Sequence, residues 1–216
     1  MLLNYYGKQE WWPAESALEI VIGAILVQGT NWRNAANAIE ALKRKNMLSV
    51  DALSAISHSA LAKTIRPAGF QRIKARRIKN FIEMLTKELG GSIERLLSMN
   101  TDELRNWLLR VPGIGKETAD NIILYAAGKL VFPVDNYTVR LLSRLGIFDS
   151  KEYEQVRAFI ESKIPRSLEV YREFRALIVR HCKEFCRSRP RCSECFLRKH
   201  CRTGLMSPTH SDGHQQ

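Results

Sequence analysis

Apolar residues in this chain recur three and four positions apart almost from end to end, and no long run alternates apolar with polar side chains. That spacing buries one face of a helix, whereas a strand needs a period of two, so the pattern predicts an all-α fold. Glu15–Gln28 is nearly all apolar and reads as a helix buried on most sides. Asn34–Lys45 is amphipathic and ends in the basic run Lys43-Arg44-Lys45. Val50–Ile56 and Ser59–Ile65 read as two short helices stopped by Pro67 and Gly69. Arg72–Leu89 sets Ile73, Ile78, Phe81, Ile82 and Leu85 on one side and Arg72, Lys74, Arg76, Arg77 and Lys79 on the other, and Gly90-Gly91 ends it. Thr101–Arg110 follows, with Thr101 as its cap and Leu104, Trp107 and Leu108 facing inward. Glu117–Ala127, Asn136–Leu145, Glu152–Ser162 and Leu168–His181 complete the set. There is no internal repeat, and the polar tail is expected to be disordered.

Four of the five cysteines fall in the pattern Cys186-x5-Cys192-x2-Cys195-x5-Cys201, with Cys182 just before it. An odd number crowded into one segment favours metal over disulfides, as does the N-terminal stretch MLLNYYGKQEWWP, which lacks a basic start followed by an apolar core and is not expected to act as a secretory signal. Four thiolates suit a closed zinc site or an iron–sulfur cluster. Zinc ribbons use two close pairs, and only Cys192/Cys195 makes one here. Lys and Arg number 34 against 22 Asp and Glu, a formal charge of +12. Such a balance attracts polyanions, nucleic acid first among them, although a merely basic solvated surface has the same count. The most apolar stretch, Ile20–Val27, falls well short of the roughly 20 residues of a spanning helix. The expectation is a cytoplasmic monomer with no membrane contact.

Between two of the helices lies Leu109-Arg110-Val111-Pro112-Gly113-Ile114-Gly115-Lys116. Pro112 suits an early turn position, and Gly113 and Gly115 let the backbone turn tightly and approach a ligand. Amides at such a turn and at the start of the next helix suit a phosphate oxygen, and Lys116 adds a full charge. A plain helix–turn–helix joint is the blander reading of a lone Gly-x-Gly. Asp135 stands directly before Asn136–Leu145, where aspartate caps a helix well. Trp11-Trp12-Pro13 and Trp32 form an unusual aromatic set, and such sets are more often core than pocket.

Together these segments resemble the endonuclease III superfamily of DNA glycosylases. Val111-Pro112-Gly113-Ile114-Gly115-Lys116-x-Thr118-Ala119 is similar to its helix–hairpin–helix, and Phe132-Pro133-Val134-Asp135 is similar to the segment bearing its catalytic aspartate. The cysteines follow in order, so the likeness runs over roughly residues 5–203. It implies two helical lobes: 14–129, holding the hairpin, and 1–13 with 130–203, holding the cysteines, followed by a tail over 204–216. It also implies a [4Fe–4S] cluster on Cys186, Cys192, Cys195 and Cys201. The family's commonest first cysteine spacing is one residue longer, and Cys186 matches it more closely than Cys182. The cluster would fix a loop that, with Arg187, Arg189, Arg191, Arg198, Lys199 and Arg202 in and after it, presents a basic surface to backbone phosphates, although each of these residues singly reads as well as part of a solvated charged face.

The likeness assigns chemistry as well. The partner is double-stranded DNA with a damaged base, and Asp135 is the catalytic carboxylate, ionised as a capping group and stabilising the oxocarbenium-like sugar. Gly113, Gly115 and Lys116 bind DNA. Bifunctional members carry a lysine soon after the hairpin, which forms a Schiff base. Glu117 holds that place here, and Lys116 is turned about 100° around the helix from it. The resemblance therefore implies base removal without strand cleavage. Trp-Trp-Pro, the segment near Gln28 and Gly-Lys-Glu-Thr-Ala-Asp-Asn look like the 3-methyladenine DNA glycosylase III branch. In that branch Trp32 would stack on the flipped base, Trp11, Trp12 and Pro13 would shape the pocket, and Gln28 would fill the gap in the duplex. Alkylated bases are the expected substrate. The alternatives are a bifunctional enzyme acting on oxidised pyrimidines, a glycosylase for uracil or another deaminated base, and a DNA-binding module without activity.

Overall fold

A computed structural model describes residues 1–207, and the secondary structure there is helical, with no strand among the described residues. The chain divides into two compact units, Trp12–Val131 and Met1–Trp11 with Phe132–Gln216.

The unit Trp12–Val131 is built from α2 (Ala17–Leu26), α3 (Trp32–Arg44), α4 (Val50–Ala55), α5 (His58–Thr64), α6 (Gln71–Leu89), α7 (Ile93–Ser98), α8 (Thr101–Arg110) and α9 (Lys116–Tyr125). α2 lies at its centre and packs on α3, α6 and α9, which is why its sequence is apolar nearly all round. Glu19, the one buried acid of α2, takes Lys43 Nζ at 3.0 Å. Sequence caps fix the helix starts: Ser16, Asn31, Ser49, Ser57, Ser92 and Asn100 each accept a backbone amide three residues on. α8 is capped by Asn100, with a reciprocal bond from Glu103, and not by Thr101 as the sequence suggested.

The two-sided reading of α6 also needs correction. Ile73 is exposed, and Lys74 is buried, its Nζ donating to the carbonyls of Leu26 and Ala68 at 2.8 and 2.7 Å. Burial lowers the Lys74 pKa to about 8, from 10.5. Lys79 reaches the carbonyls of Leu53, Ser54 and Ile56 at the end of α4. Both lysines satisfy C-terminal carbonyls that a helix leaves without partners.

The second unit holds α1 (Leu2–Tyr6), α10 (Asn136–Leu145), α11 (Tyr153–Lys163), α12 (Leu168–Glu184), a loop of short 3-10 turns over 192–200, and α13 (Arg202–Met206). α12 carries α1 on one side and α10 on another, and α13 packs on α10. α1, α7 and α13 have no counterpart in the sequence reading, each being only five or six residues long. The expected tail is helical at its start, over 204–206, and buried Gly204 sits against the Arg198 backbone, where a Cβ would lie 2.8 Å from its carbonyl oxygen. The rest of the tail, 208–216, lies outside the described residues.

Candidate functional site

The hairpin between α8 and α9 is held from behind. Gly113 has φ +100°, and a Cβ on it would fall 2.3 Å from Arg77 Cγ, so only glycine fits. Gln28 Nε2 donates to Gly113 O at 3.0 Å and to Thr118 Oγ1 at 2.8 Å, while Arg77 donates to Gln28 Oε1. Asn80 Nδ2 donates to Pro112 O at 3.0 Å. Gln28 therefore sits at the hairpin, tied to it by its amide. Gly115 is the N-cap of α9, with φ −96° and no capping side chain, and a Cβ there would meet nothing within 4 Å. Lys116 and Glu117 follow on the exposed first turn.

Aromatic rings gather in the same unit. Trp12 meets Trp32 edge-on at 4.9 Å and Tyr125, at the end of α9, at 5.1 Å. Trp12 also lies over Gly23, whose Cβ would stand 3.3 Å from the indole. Trp32 is half-buried at the start of α3, and Pro13 is exposed. Trp11 belongs to the other unit, where it lines a cavity of about 270 Å³ with Gln9, Arg175, Val179, Arg180 and Lys183. Tyr125 is an addition to the predicted set.

Phe70 is a second addition. It is 66% exposed and adopts a left-handed conformation, φ 46°, in the turn opening α6. A bulky residue there is strained, and exposure returns no packing for that cost. Its ring lies near Gly29, whose Cβ would be 3.9 Å away. The sequence signal was an aromatic wedged between Gly69 and the helix.

Asp135 caps α10 as expected. Its Oδ1 accepts from Thr138 N at 2.8 Å and Thr138 Oγ1 at 2.9 Å. Its Oδ2 lies 3.6 Å from Arg175 Nη2, and both side chains are almost buried. Arg175 went unnoticed in the sequence, although a lone arginine within Phe174–Ile178 on α12 was the available signal.

Cys186, Cys192, Cys195 and Cys201 all line one cavity, with Leu141, Arg144, His181 and Phe185. Among the described residues no three His, Cys, Asp or Glu side chains close on a single point fit for one ion; the thiols stand around a shared space instead. Arg144 Nη1 donates to Cys186 Sγ at 3.4 Å, and Arg140 Nε to Cys186 O at 2.8 Å. A hydrogen bond from Cys182, then the Arg144 guanidinium, lower the Cys186 pKa, while the bond to Cys186 and burial raise that of Cys182. Cys182 is buried, and its Sγ lies 3.5 Å from Tyr137 O. The donors a thiolate cluster requires are present.

The arginines of this loop are less available than expected. Arg187 donates to Lys183 O, Arg198 to Gly204 O and Ser207 O, and Arg202 to Ser143 O, while Arg191 pairs with Glu194.

Residues 22–166 match the profile of the HhH-GPD superfamily of base excision DNA repair proteins. A Methanocaldococcus jannaschii protein provisionally named a DNA repair glycosylase is 43% identical over 204 residues, 93% of this chain and 92% of its own. Endonuclease III of Sulfolobus acidocaldarius is 29% identical over 84% of this chain and 80% of its own. Among solved structures, H. pylori 3-methyladenine DNA glycosylase bound to 1,N6-ethenoadenine superposes with a TM-score of 0.73 at 28% identity, over 85% of this chain and 92% of its own. An endonuclease III–DNA complex gives 0.81 at 22% identity, over 95% and 92%, a likeness of fold.

Proposed function

Because this chain belongs to the HhH-GPD superfamily and is a DNA glycosylase of base excision repair, we propose that it removes alkylated bases and leaves the strand intact. The observation that carries this reading is the Trp12, Trp32 and Tyr125 group together with α9, whose exposed first turn presents Glu117 where strand-cutting relatives present an amine. The similar H. pylori structure, named for 3-methyladenine and bound to 1,N6-ethenoadenine, supports the same substrate class.

The chemistry follows from the residues. The hairpin around Gly113 and Gly115, with Lys116, receives a backbone phosphate. Extruding a nucleotide costs stacking and leaves a gap, which Gln28 and the exposed Phe70 ring fill, Phe70 as an apolar wedge. The base stacks on Trp32, with Trp12 and Pro13 shaping the pocket, and an N3-alkylated adenine carries a positive charge that an indole face attracts. Such a base is a good leaving group and needs no strong general acid. Asp135 opposes the charge developing on the sugar and orients water. With Oδ1 engaged by Thr138, Oδ2 is the oxygen that does so, and Arg175 holds it in place.

Cys186, Cys192, Cys195 and Cys201 would hold a [4Fe–4S] cluster, which when bound shapes the loop and takes no part in bond breaking. The test is a panel of duplexes bearing alkylated purines, uracil, hypoxanthine or oxidised pyrimidines, with released bases identified and strands analysed before and after alkali. Release of alkylated purine, with breaks only after alkali, is expected. Breaks before alkali, or covalent trapping by borohydride, overturn the monofunctional reading. Release confined to uracil or hypoxanthine overturns the substrate class.

A further inference from the structure

His181 has no part in the chemistry above, yet it is 1% exposed and lines the cavity of the four cysteines. Its Nε2 lies 3.7 Å from Cys195 Sγ, and its Nδ1 lies 3.2 Å from Tyr6 Oη. Rings lock the imidazole between them. Phe196 meets it edge-on at 5.4 Å and Phe185 lies at 5.7 Å, while Tyr5 stacks on Phe196 at 3.9 Å. We propose that His181 donates its Nε2–H to the ligating sulfur of Cys195 and raises the reduction potential of the iron–sulfur cluster, with Tyr6 fixing the imidazole tautomer. The inference rests on the cluster reading given above.

A ligating thiolate only accepts hydrogen bonds, so the nitrogen facing it must carry the proton. A neutral ring with its proton on Nε2 has only a lone pair at Nδ1, the nitrogen that faces the Tyr6 hydroxyl. The Tyr6 hydroxyl is the donor for that lone pair, and burial together with the Glu184 carboxylate keeps it protonated. A donor at a cluster sulfur stabilises the charge of the reduced state, which moves the potential upward. Arg144 makes the corresponding contact at Cys186, so two of the four ligands carry a donor. The residues come from three places, α1, α12 and the cysteine loop, which ties the N-terminal helix to the metal centre.

The experiment is a potentiometric titration of the intact holoenzyme, followed by electron paramagnetic resonance, for wild type, His181→Phe, His181→Gln and Tyr6→Phe. Phenylalanine suits the aromatic cage and removes the donor. It is expected to change the oxidised-to-reduced ratio at a fixed potential about tenfold, a downward shift of roughly 59 mV for one electron. Glutamine keeps an N–H and should recover most of the shift, and Tyr6→Phe should give a smaller shift in the same direction. Iron content and helical circular dichroism should be unchanged. An unmoved potential in fully loaded His181→Phe overturns the proposal and leaves the cluster reading standing. Direct nitrogen ligation in the wild type also overturns it. Zinc in place of iron in the wild type overturns both. If His181→Phe does not load, an unmoved potential in Tyr6→Phe overturns the proposal.

Discussion

Gly115 and Gly113 lie two residues apart, and the structure gives them different reasons to be glycine. Gly113 is required by the fold, being at φ +100° with Arg77 where its Cβ would go. Gly115 has no such requirement: φ is −96° and the space before it is open. It is also a weaker cap than the asparagine and aspartate that open the helices on either side. Gly115→Ser should therefore act in opposite directions on stability and binding. The serine oxygen can accept from the Thr118 amide, as Ser16 does from Glu19 and Ser49 from Ala52, and should add a few tenths of a kcal/mol. In doing so it occupies the space, and takes the amide, that a phosphate would use. Losing one charge-assisted bond of about 1.5–3 kcal/mol corresponds to roughly ten- to hundredfold in affinity. Urea unfolding measures the first effect, and fluorescence anisotropy with a labelled duplex measures the second. An amide contact releases no counterion, so the salt dependence of binding should keep its slope, whereas Lys116→Ala should reduce that slope by about one. Affinity within twofold of wild type for Gly115→Ser would refute the phosphate reading of this hairpin.

Asp135→Asn should cut base release by about a hundred- to a thousandfold while DNA affinity holds, because asparagine still caps α10; unchanged single-turnover release means Asp135 is not catalytic. Lys74 has a folded pKa near 8, below its ordinary 10.5, so the unfolded chain binds more protons between those values and stability rises with pH across that window. Urea titrations at pH 7.5 and 10 should show this rise in wild type and its loss in Lys74→Met; equal slopes would refute it. Phe70→Ala removes an exposed, strained ring, so it should leave thermal stability unchanged or improved while slowing base release from a paired duplex more than from a single strand; equal slowing on both would argue against a wedge.

How far the sequence could be read depended on whether a signal was local. Helix periodicity, the Asp135 cap and the glycine turn are properties of a few neighbouring residues, and they were legible. The pairing of Asp135 with Arg175 spans forty residues of sequence, and nothing in α12 except one arginine among apolar neighbours pointed to it. α1, α7 and α13 are too short for a period to emerge, and they exist because α12, α6 and α10 give them a surface. Lys74 was misread because α6 places it against α2, where a lone cation finds two carbonyls that no composition reveals. Tyr125 joined the aromatic set only through α9, which brings it to Trp12.

The fate of the basic residues bears most directly on function. A formal charge of +12 suggested a surface built for phosphates, but many cations are committed to backbone oxygens. Lys74, Lys79 and Lys129 hold carbonyls in one unit, and Arg140, Arg144, Arg187, Arg198 and Arg202 hold carbonyls around the cysteine loop in the other. A side chain bound in this way stays in place when DNA arrives, and a buried one such as Lys74 carries no counterions to release. The salt dependence of DNA binding should therefore report far fewer phosphate contacts than the excess of Lys and Arg suggests. Exposed Arg72, Arg76, Arg189 and Lys199 are the better candidates for that count, and neutralising them singly should each lower the slope, where Lys79→Met should lower stability instead.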